Sequence, residues 1–194
     1  MPISRPTLTA ALAAASLLAT GCQPAMSNQP RETSQMGVGH EYPLRFTHHS
    51  FDAHCYNTKK CRVLYANAVQ VNEEDPSPSP QRVDYQKLWG LATHVGIDNF
   101  PAPARVEWTS ADGADLNAQV DIGSIFKDQL VLHNVPRDML PVTTVKHGDG
   151  PSIFLQINDR TLTVFMRQMV FLKNEGPGTS PFQHELIEAW RVTY

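Results

Sequence analysis

His48, Asp52 and His54 lie at even spacing, so an extended strand would project two imidazoles and a carboxylate from one face, the donor types a metal ion takes. Distance weighs against that chemistry. At about 3.3 Å per residue, His48 stands roughly 13 Å from Asp52 and roughly 20 Å from His54, too far to share one ion without a bend. A solvated or hydrogen-bonded polar face is the stronger reading. Cys55 and Cys61 offer a second chemistry. In an exported chain the pair is expected to be a structural disulfide, whereas a redox-active pair would need the closer spacing at a helix start that lowers a thiol pKa.

Hydrolytic chemistry has less support. There is no Gly-x-Ser-x-Gly elbow, and neither Ser124 nor Ser152 has a local context that would activate it. Gly148-Asp149-Gly150 reads as a turn, without the helix that must follow a phosphate-binding loop. Asp121 with Asp128, and Glu185 with Glu188, are carboxylate pairs of a kind common near the ends of elements. The residues ask for no catalysis, no cofactor and no metal. A net charge of −3, from 16 basic and 19 acidic residues, supplies no basic field for nucleic acid. The densest charge is Glu73-Glu74-Asp75, continuing to Asp84, either a solubilising loop or a partner-binding element that steers encounter with a basic patch.

The third cysteine has a different setting. Arg5 precedes a small-and-apolar run of 13 residues from Leu8 to Thr20, too short for the roughly 20 residues that span a bilayer. It ends in Leu17-Leu18-Ala19-Thr20-Gly21-Cys22, which resembles a bacterial lipobox, with Ala19 where leucine usually stands. Residues 1–21 are therefore expected to be a cleaved lipoprotein signal peptide and Cys22 the lipidated residue. More than one acyl chain there would make a stable anchor. Gln23, where aspartate would favour inner-membrane retention, points to the outer membrane with the domain in the periplasm.

These residues need elements to position them. Residues 22–41, poor in bulky apolar side chains, form the lipidated flexible tether, its 18 residues from Gln23 to His40 reaching on the order of 24 Å. A mainly β globular domain follows over 42–194, a single β-sandwich-like or α+β unit with one short helix. Residues 44–56 and 61–71 read as a hairpin joined by Asn57-Thr58-Lys59-Lys60 and stapled by Cys55 and Cys61. In the second of these runs Val63, Tyr65, Val69 and Val71 share a face broken by Asn67. Ser110-Ala111-Asp112-Gly113 turns a second hairpin, and Asn158-Asp159-Arg160 a third. In that third hairpin Ile153, Leu155 and Ile157 alternate with Phe154 and Gln156, and Leu162, Val164 and Met166 alternate with Phe165 and Arg167. Ile122, Ile125, Phe126 and Leu130 predict a helix of two to three turns, and the run 185–194 is read as a strand. The connection 72–103 opens with an acidic, proline-punctuated stretch and carries no clear secondary structure, but Tyr85 to Trp89 has the apolar mass to pack back on the domain.

At Ala53-His54-Cys55-Tyr56-Asn57-Thr58, Cys61-Arg62-Val63-Leu64-Tyr65, the stretch from Asp121 to Leu130, His133-Asn134-Val135-Pro136-Arg137 and Asn158-Asp159-Arg160-Thr161, the chain resembles a family of small proteobacterial lipoproteins. Members are often encoded beside type VI secretion phospholipase effectors. The resemblance covers roughly residues 46–169 and implies an immunity protein, a tethered periplasmic inhibitor whose partner is the cognate secreted phospholipase-type toxin. It carries over no contact residue. The connection 72–103 or the turn at Asn57 to Lys60 would supply the inserted element. A structural lipoprotein of the envelope or secretion apparatus would share the lipobox, tether and sandwich, and a metal-dependent envelope enzyme would require bound metal or turnover.

Overall fold

Strict alternation of large apolar residues makes strands whose one face must find a second layer. In a computed structural model that describes residues 42–141, 150–173 and 180–194, nine strands do so in two sheets. They are β1 (His48–Tyr56), β2 (Thr58–Tyr65), β3 (Ala68–Glu73), β4 (His94–Asp98), β5 (Ala104–Ser110), β6 (Asp115–Val120), β7 (Ser152–Asn158), β8 (Thr161–Phe171) and β9 (Phe182–Thr193). One sheet has the order β4-β1-β7-β8-β9 and the other β3-β2-β5-β6. Phe51, Val63, Val106, Ile153, Leu155, Leu162, Val164 and Met166 meet between them and are fully buried. The domain is mainly β and sandwich-like, as expected. The expected signal peptide, Cys22 and the expected tether lie outside the described residues, and no helix among those described is long and apolar enough to cross a membrane.

Two of the three expected hairpins form as read. β7 and β8 pair antiparallel, Leu155 opposite Val164, about a turn in which Asp159 takes positive φ. β5 and β6 turn at Gly113, whose φ of 95° is open to glycine at no steric cost. The final run is a strand, β9, antiparallel to β8.

The first hairpin does not exist. Only Asn57, at φ 54°, separates β1 from β2, and the two strands enter different sheets: β1 pairs with β4 and, in parallel, with β7, whereas β2 pairs with β3 and β5. The hairpin in this region is β2–β3, turned at Ala66 and Asn67, both in the left-handed region favoured by tight hairpin turns. The residue taken as a break within one strand is thus the end of it. Thr58 to Lys60, expected as a protruding turn, belong to β2.

This moves the work of the disulfide. Cys55 and Cys61 are bonded, and the bridge holds the corner where the chain passes from one sheet to the other. We expect Cys55→Ala/Cys61→Ala to lose about 2 kcal/mol, the chain-entropy value for so short a loop. Urea unfolding measures it; an unchanged midpoint under oxidising conditions would show that the strand ladders alone hold the corner.

The helix is shorter than its periodicity. α1 (Ile122–Ile125) is one turn, capped by Asp121, whose carboxylate accepts from the Ser124 amide at 2.9 Å. Gln129 takes positive φ, and Leu130 leaves the helical path to bridge Arg45. The connection 72–103 is also more structured than expected, holding a 3-10 turn at Tyr85–Leu88 and strand β4.

Candidate functional site

β7 and β8 are buried on both faces, although the sequence alternation marks only one as core. The second face is covered by residues 82–92, a strap laid across the outside of the five-stranded sheet. Trp89 is its anchor. The indole stacks on the His54 ring at 4.4 Å and 18°, meets the edge of Phe165 at 5.7 Å, and donates from Nε1 to the Tyr56 hydroxyl at 2.9 Å. Packing of this segment onto the domain agrees with its apolar content.

Arg167 does the rest of the fastening. Its guanidinium donates to the carbonyl oxygens of Trp89 at 2.5 Å, Gly90 at 2.8 Å and Gln86 at 3.0 Å, and lies 5.3 Å from the centre of the Phe154 ring. A planar fork with five donors suits three carbonyls presented by one turn of chain. Burial lowers the proton affinity of this guanidinium, which still remains a cation.

With its backbone tied inward, the strap turns apolar side chains outward. Val83, Leu88 and Leu91 are 101%, 69% and 75% exposed. Val83 and Leu91 line a groove of about 910 Å³ together with Trp89, Phe165 and Leu186 and with Gln86, His184 and Glu185. Exposed apolar residues scattered singly mean little; here three fall within nine residues of one fastened segment.

The acidic residues proposed from sequence are mostly engaged within the chain. Glu73 accepts from the Ser77 hydroxyl, Glu74 pairs with Lys60 at 3.3 Å, and Asp84 pairs with Arg82 at 3.1 Å and Lys87 at 3.9 Å. Asp75 is exposed. Asp84 borders the groove, whereas Glu73 and Glu74 line a shallow depression on the four-stranded sheet, so they form two surfaces.

The polar face of β1 resolves in the same way. The Asp52 carboxylate accepts from the Ala53 amide at 2.9 Å and from the Thr93 hydroxyl at 3.4 Å, while His54 is enclosed under Trp89. His48 approaches the Thr47 hydroxyl at 3.4 Å. Among the described residues no three His, Cys, Asp or Glu side chains converge to hold a metal ion. Glu188 pairs with Arg191 at 2.6 Å, and Glu185 accepts from the Asn134 amide at 3.1 Å. Gly148 and Asp149 lie outside the described residues.

A second polar cluster, centred on a residue that sequence reasoning passed over, is enclosed in the core. His49, with no exposed surface, lies 2.7 Å from Asn99 Oδ1 through Nδ1 and 3.0 Å from the Tyr65 hydroxyl through Nε2. Asn99 Nδ2 donates to the Phe46 carbonyl, so its Oδ1 must accept from His49 Nδ1–H, and Tyr65 then donates to Nε2. Such a pattern suits a neutral ring. Burial chiefly lowers its pKa and raises that of Tyr65.

No family model, curated protein or solved structure matches the chain. The strap is thus interpreted from its own geometry. The signals that pointed to it were the alternation placing Phe165 and Arg167 together on β8 and the apolar content of Tyr85 to Trp89. Nothing in the sequence said that the two would meet.

Proposed function

We propose that the chain is a membrane-tethered periplasmic immunity protein that binds and inhibits a secreted phospholipase-type toxin, with Val83, Leu88, Leu91 and the adjoining groove as its contact surface. The motif resemblance supports the class of partner. The observation that carries the choice of surface is the outward display of three large apolar residues by a strap whose backbone Arg167 and Trp89 hold in place. A surface ordered before encounter loses little conformational freedom on binding, so more of its contact energy appears as affinity. Lipidation at Cys22 would confine the inhibitor to the membrane where such a toxin acts, and the carboxylates near residue 75 would contribute to encounter rather than to the final contact.

Leu88→Asp/Leu91→Asp is expected to weaken capture of the toxin encoded by the adjacent gene by tenfold or more, about the loss from removing one hot-spot residue, and to leave the unfolding midpoint nearly unchanged. Titration of the purified pair by calorimetry checks both. Undiminished affinity would remove this surface from the proposal, and co-purification of a secretion-machine component in place of a hydrolase would favour a structural lipoprotein.

A further inference from the structure

His54 is the histidine of β1 on which the strap's Trp89 lies. Its imidazole stacks on Trp89 at 4.4 Å beside the Phe154 ring at 5.9 Å, Trp89 lying 5.5 Å from Phe154 as well, and its buried Nε2 has no hydrogen-bond partner among the described residues. The same aromatic slot already holds the Arg167 guanidinium against Phe154. A proton on Nε2 of His54 would place a second cation there, with no acceptor within hydrogen-bond reach of that nitrogen among the described residues.

We propose that protonation of His54 releases the strap, so that the apolar ridge is assembled near neutral pH and withdrawn in acid. The inference rests on the ridge being the contact surface and adds its regulation. The charges around the ring divide. Asp52, on the same strand, and Glu73, from β3, favour the proton, whereas Arg167, from β8, opposes it. The strap itself faces the ring with the uncharged Trp89, and its Asp84 and Lys87 pair with each other. Burial is the largest influence and holds the His54 pKa below the ordinary histidine value.

The sign follows from linkage. The closed strap keeps His54 neutral, and the open one lets it take a proton at about pH 6.5, so opening rises by up to about tenfold for each pH unit below that point until the closed-state pKa is reached. Phe154 and Phe165 would then lose their cover, and the backbone that positions Val83, Leu88 and Leu91 would lose its frame.

Amide hydrogen exchange on the whole chain between pH 7.5 and 5.0, corrected for intrinsic rates, tests this. The expected result is a loss of protection at residues 85–92 exceeding that in β7, and its disappearance in His54→Phe, which keeps a ring in the stack but cannot be protonated. Comparison with β7 separates the effect from His49, which acts through the core. Equal pH dependence in His54→Phe would overturn the proposal. Should that variant not fold, NMR titration of His54 in the native chain decides: a midpoint at the ordinary histidine value with the strap still protected would also overturn it. Exchange requires no partner, so failure here leaves the binding reading untouched, and failure of toxin capture at pH 7.5 leaves the switch standing.

Discussion

Arg167→Met is expected to cost about 3 kcal/mol and to free residues 82–92 from the sheet. Hydrogen bonds from a charged donor contribute about 1.5–3 kcal/mol each, and Arg167 makes three, to the carbonyls of Gln86, Trp89 and Gly90. The total falls short of their sum because a released strap returns its carbonyls to water. Lysine would keep the charge but present a single ammonium to carbonyls spread over a turn, so Arg167→Lys should recover less than half of the loss. Urea denaturation gives the energy, and acrylamide quenching of Trp89, in a background with Trp108 and Trp190 replaced by phenylalanine, reports the release. Unaltered quenching in Arg167→Met would mean that Trp89 holds the strap without its clamp, and would shift the surface argument onto the aromatic stack.

The second large effect lies in the core. His49→Ala should destabilise the domain by about 4 kcal/mol, because it opens a cavity and also strands Asn99 Oδ1 and the Tyr65 hydroxyl without their partner. His49 also makes stability depend on pH. Burial lowers its folded-state pKa, so in mild acid the unfolded chain binds a proton that the folded chain refuses. The stability this difference provides is complete above the unfolded value of about 6.5, and is lost as pH falls from there toward and through the folded value. Urea midpoints between pH 7.5 and 5.0 should decline, and His49→Gln should flatten part of that decline. An identical slope in the variant would assign the acid sensitivity to other groups, His54 first among them.

The two predictions concern residues that differ in how visible they were in advance. Arg167 stood in the alternation of β8 as an outward residue, which is where it lies; what it fastens was hidden, because the carbonyls it holds are about 80 residues away. His49 drew no notice beside the evenly spaced His48, Asp52 and His54. Spacing identifies residues that share a face but does not tell which face becomes core, and here the ring at the odd position is the one that is fully buried.

Local signals in the chain were sufficient at the turns whose residues admit one backbone path, and failed at residues 57–60, where a polar run turned no hairpin, and at α1, which stops after one turn. The β5–β6 and β7–β8 turns, the Cys55–Cys61 bond and the mainly β class follow from neighbouring residues whose turn chemistry admits few alternatives, and the apolar mass of Trp89 required burial without naming its partners. Folding in three dimensions settled the rest. Alternation requires β1 and β2 each to find a partner but does not name one, so the corner at Asn57 and the parallel pairing of β1 with β7 depend on strands far apart in sequence. The strap was open to the same ambiguity. Its apolar residues could have been buried or displayed, and the choice of Trp89 inward with Leu88 and Leu91 outward comes from an arginine fork and an aromatic slot that exist only after the sheet has formed.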